Sequence, residues 1–140
     1  MKVLTREGLL KKEILRKEKV DLGKDEYVFV RQMTGRERDR FEQSLVKEVM
    51  DDKGQSEFKR SLDDFRAKLA VHTVCDEDGN NLLRPEDVST LSQNMSAARL
   101  ELIVNKAQEL NRISEEDKKN LTKNSEAVQN ANSISDSAES

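Results

Sequence analysis

The chain has 140 residues, 38% of them charged, with a net charge of −3, about the length of one domain. It has no Trp, one Tyr and four Phe, so it lacks the basic face interleaved with aromatic platforms that nucleic-acid binding uses. Leu, Ile, Val and Phe together number 34, enough for a thin core only, and such a domain is expected to gain stability from a partner or from self-association.

The charge is uneven. Residues 1–74 carry 18 basic and 15 acidic side chains, net +3, and residues 75–140 carry 7 and 13, net −6. Opposite halves could help copies meet head to tail, but ordinary solvated helix faces explain the same numbers. Cys75 is the one cysteine, which excludes an internal disulfide and fits a reduced, cytoplasmic setting. The N-terminus has no apolar signal core, and no apolar run approaches the roughly 20 residues that span a bilayer.

Thr5 is placed to cap a first helix, with Glu7 in its first turn. Leu9, Leu10 and Ile14 give that segment an apolar stripe, and Lys11, Lys12, Arg16, Lys17 and Lys19 make it basic. It is short, lacks aromatics and is interrupted by Glu7, Glu13 and Glu18, so packing or partner contact is expected rather than membrane binding. Residues 19–32 predict a β-hairpin. Val20 and Leu22 alternate with Lys19 and Asp21, Gly23-Lys24-Asp25 turns the chain, and Tyr27-Val28-Phe29-Val30 is the one β-branched and aromatic run. A lone hairpin is marginal in water. Val20, Leu22, Val28 and Val30 should therefore rest on another layer, which turns Tyr27 and Phe29 the opposite way as candidate partner contacts, unless the hairpin is sandwiched within the monomer.

Thr34 and Glu37 predict a capping box opening a helix that carries Phe41, Leu45, Val46, Val49 and Met50 and stops near Asp51–Gly54. The spacing of Phe58, Leu62, Phe65, Leu69 and His72 then predicts a long central helix, antiparallel to the one before and ending at Val74-Cys75. Asp76-Glu-Asp-Gly-Asn80 is a turn signal. It lacks the acidic ligand set of a calcium loop, so no metal is expected there. Pro85 with Glu86 and Asp87 suits a helix start, with Val88 and Leu91 facing inward. Ser96 caps a helix whose apolar side is Leu100, Ile103, Val104, Ala107 and Leu110, and Ser114 caps a short last one. Residues 125–140 are small and polar without a period, and predict a disordered tail.

Catalytic chemistry has no foothold. His72 has no metal-ligand partners nearby. It stands three residues before Cys75, but Asp76, Glu77 and Asp78 would raise a thiol pKa rather than lower it. No phosphate loop, nucleophile elbow or dinucleotide fingerprint occurs. No enzymatic activity and no cofactor are expected.

The order of the following stretches carries a resemblance. Residues 69–75 read Leu-Ala-Val-His-Thr-Val-Cys, and Asp76-Glu-Asp-Gly-Asn80 and Pro85-Glu-Asp-Val88 follow. Then come Leu91-Ser-Gln-Asn-Met-Ser-Ala-Ala-Arg-Leu100, Ala107-Gln-Glu-Leu-Asn111 and Ser114-Glu-Glu-Asp-Lys-Lys-Asn-Leu121. Ahead of them stand a short helix, a hairpin and Met33-Thr-Gly-Arg-Glu-Arg-Asp39 leading to Phe41 and Glu42. Over about residues 5–124 the chain resembles the tail assembly chaperones of long-tailed bacteriophages and prophages. The resemblance implies a protein of the bacterial host cytoplasm that binds the tape measure protein and keeps it soluble. It also implies help in assembling the tail tube protein, through a frameshifted longer product, and absence from the finished virion. The alternative is a minor structural tail or head–tail component retained in the particle. A-rich codons for Lys118-Lys119-Asn120 or Thr122-Lys123-Asn124 would supply the slippery run.

The expected architecture is mainly α with a small β-hairpin, an α+β chain. A short N-terminal helix and the hairpin precede a compact bundle of about four to five helices, with residues 1–124 as one domain. Tyr27 and Phe29 on the hairpin and Leu100, Ile103 and Val104 on the Ser96 helix are the candidate contacts for the tape measure protein. Nucleic acid and membrane are not expected partners.

Overall fold

The structure, a computed structural model, describes residues 1–121. The expected tail at 125–140 lies outside them. The fold is α+β. In order come α1 (Arg6–Leu10), β1 (Lys17–Gly23), β2 (Glu26–Arg31), α2 (Gly35–Ser44), β3 (Val46–Met50), β4 (Ser56–Arg60), α3 (Phe65–Thr73), β5 (Val74–Cys75), a 3-10 turn (Pro85–Asp87), α4 (Val88–Asn94), α5 (Ala97–Leu110) and α6 (Glu115–Leu121). β1, β2 and β5 form an antiparallel sheet with β2 central, and β3 and β4 pair separately.

The first hairpin follows its alternation. Val20 pairs with Val28 and Asp21 with Tyr27, and Val20, Leu22 and Val30 are buried. This face joins one cluster with Phe41, Leu45, Phe65 and Leu69 and with Leu100, Ile103, Val104, Ala107 and Leu110 of α5. Burying each such side chain contributes about 1.5–3 kcal/mol, so this cluster holds sheet and helices together. Helix starts obey local chemistry. The Thr34 hydroxyl accepts from Glu37 N at 3.2 Å while the Glu37 carboxylate accepts from Thr34 N at 2.9 Å. Ser96 and Ser114 accept in the same way from Arg99 N and Asp117 N.

The expected long helix from Phe58 is corrected. Its second half exists as α3, where Phe65, Leu69, Ala70 and Val71 are buried and form the central strut. Its first half is strand β4, and Asp64, in left-handed conformation at φ 56°, separates the two. The expected helical course of Val46, Val49 and Met50 is likewise strand β3, since α2 ends at Ser44. The cause is the turn between them. The Asp51 carboxylate accepts from Lys53 N at 2.9 Å and Gln55 N at 2.8 Å, and Asp51 N donates to Gln55 O at 2.8 Å. Gly54 takes φ +78°, which glycine adopts without a Cβ penalty. Such a turn reverses a strand, so the expected antiparallel helix pair becomes a β-hairpin.

Asp76–Asn80 repeats the device. The Asp76 carboxylate accepts from Asp78 N and Asn80 N, both at 2.9 Å, Asp76 N donates to Asn80 O at 2.8 Å, and Gly79 sits at φ +88°. The turn brings Asn81 back beside Cys75, and it extends the sheet that β5 joins through Phe29–Cys75 and Val30–Val74.

Candidate partner-binding surface

Strand alternation decides the first candidate pair. Tyr27 and Phe29 stand on the face of β2 opposite the core, with Tyr27 50% exposed and Phe29 half-buried. Their rings meet edge-on with centroids 5.7 Å apart. Lys19 Nζ lies 4.2 Å from the Tyr27 ring centroid and Lys17 Nζ 5.8 Å from that of Phe29, within cation–π range. The hairpin is therefore not sandwiched at this face. It offers a small cationic–aromatic platform bordered by β1, an edge strand of the sheet among the described residues.

Leu100, Ile103 and Val104 are corrected as contact residues. They are 4%, 2% and 1% exposed, because the apolar stripe of α5 is the stripe that covers the sheet and α3. Helical spacing locates the buried face; it does not tell whether the neighbour that buries it is in the same chain.

The apolar side chains that do reach solvent lie elsewhere. Met50 and Phe58, 67% and 65% exposed, are diagonal neighbours on one face of the β3–β4 hairpin, where Met50 pairs with Ser56 and Glu48 with Phe58. The hairpin is tied to the body by Ser61 N donating to Leu45 O at 2.7 Å and by the Lys47–Asp63 ion pair at 3.1 Å. At the N-terminus, Leu9, Leu10 and Ile14 are exposed, and α1 buries none of its residues. The stripe read from the sequence is present but unpacked. A cleft of about 780 Å³ separates this segment from the start of α2 and the end of α5, with Leu9, Leu15, Met33 and Leu110 among its walls. A second groove, about 490 Å³ and chiefly apolar, runs along α4 between Leu83, Leu91 and Met95.

A polar junction ties four elements of the body together. Arg31, 6% exposed, binds Glu37 through both oxygens at 2.8 and 2.7 Å, and also donates to Gln32 O and Asn81 Oδ1. The Arg31 guanidinium pulls the Glu37 carboxyl down to about 2. Asn111, just past α5, accepts from Met33 N at 2.7 Å. The end of β2, the start of α2, the turn after β5 and the end of α5 thus meet at one point.

The residues weighed for catalysis are placed structurally. His72 Nδ1 is 2.8 Å from Lys68 O, and its ring packs against Phe41. Cys75 is buried, and burial is the main cause raising its thiol pKa, with Asp76 adding to it and Arg31 and Lys17 opposing. Among the described residues no group of three or more His, Cys, Asp and Glu could hold a metal ion, and no helix is long and apolar enough to cross a membrane.

Comparison with protein-family models, curated proteins and solved structures finds no match.

Proposed function

We propose that the chain is a tail assembly chaperone of a long-tailed bacteriophage or prophage. It binds the tape measure protein in the bacterial host cytoplasm, keeps that long helical client soluble, and leaves before the particle is complete. A frameshifted longer product brings in the tail tube protein. The reading begins from the order of elements and turns over residues 5–124. One observation favours it. Large apolar side chains stand in solvent on the arm and the hairpin, the elements that contribute least to the core, with Leu9 at 69%, Leu10 at 67%, Met50 at 67% and Phe58 at 65% exposure. Isolated exposed apolar residues are ordinary on a protein surface; paired on projecting elements, they suit reversible cover for another chain's apolar helices. The α4 groove suits a helix, and the edge strands β1 and β4, as they stand among the described residues, suit an extended segment. Several weak contacts along one long client gain by avidity.

Co-expression with the neighbouring tape measure gene and a pull-down from the soluble fraction test the proposal. Capture, and a client that precipitates without this chain, support it. A tape measure protein equally soluble alone rejects it. Mass spectrometry of purified particles separates it from the retained structural component, which would remain in the virion.

A further inference from the structure

We infer that the outer edge of β4 is a self-pairing edge, joining two copies into a four-stranded sheet ordered β3-β4-β4-β3. Among the described residues β4 pairs with one strand, β3. Ser56, Glu57, Phe58 and Lys59 are all exposed. A two-stranded hairpin is marginal by itself and gains stability from further strands or from packing on a helix. β4 has no proline or bulge, and its charges, Glu57, Lys59 and Arg60, are of both signs.

The sequence of the strand selects its occupant. A two-fold axis perpendicular to the sheet sets an antiparallel register centred on one residue, with the same patch used by both copies. Centred on Phe58, the register puts Phe58 against the second copy's Phe58. It also puts each Glu57 against a Lys59, giving two opposite-charge pairs on the other face. Centring on Glu57 or Lys59 instead sets like charges directly opposite, which is destabilising. Glu57 and Lys59 already share a face, 3.2 Å apart within the strand, so both are on the side where the exchange would occur. In the Phe58 register the two Phe58 side chains meet at the axis, each with Met50 as its diagonal neighbour and Glu48 directly across on the same face. The β3 edge does not match it, because its central register sets Glu48 against itself. This pairing rests on the β4 edge alone and stands whether or not the client is a tape measure protein.

Sedimentation velocity of the full chain between 1 and 200 µM tests it. The wild type should dimerise across this range. Glu57→Lys and Lys59→Glu should each weaken dimerisation at least tenfold, and the double variant, with charges exchanged, should restore it. A Phe58→Cys chain should form an intermolecular disulfide on mild oxidation, since facing residues meet at the axis while Cys75 is buried. Circular dichroism checks that each variant is folded. If either single variant is unfolded, the wild type, the double variant and the Phe58→Cys cross-link decide the outcome. A wild type that stays monomeric at 200 µM overturns the inference. A dimer indifferent to both single reversals, or a double variant that remains monomeric, overturns it equally.

Discussion

Arg31 and Glu37 face each other across the junction of β2 and α2, joined by two parallel hydrogen bonds of 2.8 and 2.7 Å. The arginine is 8% exposed at its side chain and the glutamate 22%. The same carboxylate caps α2 through Thr34 N. One side chain thus starts a helix and neutralises a buried cation.

Acid should therefore loosen the fold at this point. The folded pKa of Glu37 is about 2, below its ordinary value of 4.5. Its contribution is complete above the unfolded pKa and is lost as pH falls from about 4.5 to about 2. Urea denaturation between pH 2 and 6 should show a stability decline that is smaller in Glu37→Gln, which cannot titrate. Arg31→Ala at neutral pH should cost about 2–3 kcal/mol, somewhat less than the loss of one partner from a fully buried pair. A decline of equal size in the wild type and Glu37→Gln would show that other carboxylates govern the acid limit.

The α5 stripe should behave as core. Ile103→Ala should lose about 2–5 kcal/mol, and Ile103→Asp should not fold, because an unpaired carboxylate would stand at a site 2% exposed. Thermal melts by circular dichroism read both. A folded Ile103→Asp would contradict the packing of α5 on α3 and the sheet.

Cys75 should be silent in the native state. The thiol is 1% exposed and burial raises its pKa, and thiolate is the reactive form. An aromatic disulfide reagent should react at neutral pH only at the rate of unfolding, and fully in denaturant. Immediate reaction of the native protein would show an open β5.

The arm and hairpin should be separable from folding. Deleting residues 1–10, or making Tyr27→Ser or Phe58→Ser, should each change stability by less than about 1 kcal/mol, since α1 buries nothing and both rings are at least half exposed. Capture of the tape measure protein in the co-expression pull-down should fall in these variants. Stability lost together with capture would mean that these side chains support the fold itself.

Local chemistry was legible from the residues. The Thr34–Glu37, Ser96 and Ser114 caps span three positions each, so no distant partner enters. The β1–β2 hairpin was legible because alternation and a glycine turn coincide, and that alternation turned Tyr27 and Phe29 outward. The β3–β4 hairpin was not. Val46, Val49 and Met50, and Phe58, Leu62 and Phe65, also satisfy a helical period. Asp51 and Gly54 between them are the available signal, the same Asp-x-x-Gly turn that stands at Asp76–Gly79. Leu100, Ile103 and Val104 lie on one apolar face of α5, and that pattern is the same whether the face meets a partner or its own core.

By itself, the sequence determined where the capped helices α1, α2, α5 and α6 begin, where the chain turns, and which residues alternate along β1 and β2, because those depend on neighbours a few positions away. Only the tertiary structure decided that β5 adds to β2, that Arg31 is buried with Glu37 and Asn81, and that Met50 and Phe58 are left in solvent. Arg31 and Asn81 are 50 positions apart. Bringing them together depends on how the sheet and α3 share one core, and short-range spacing does not encode that.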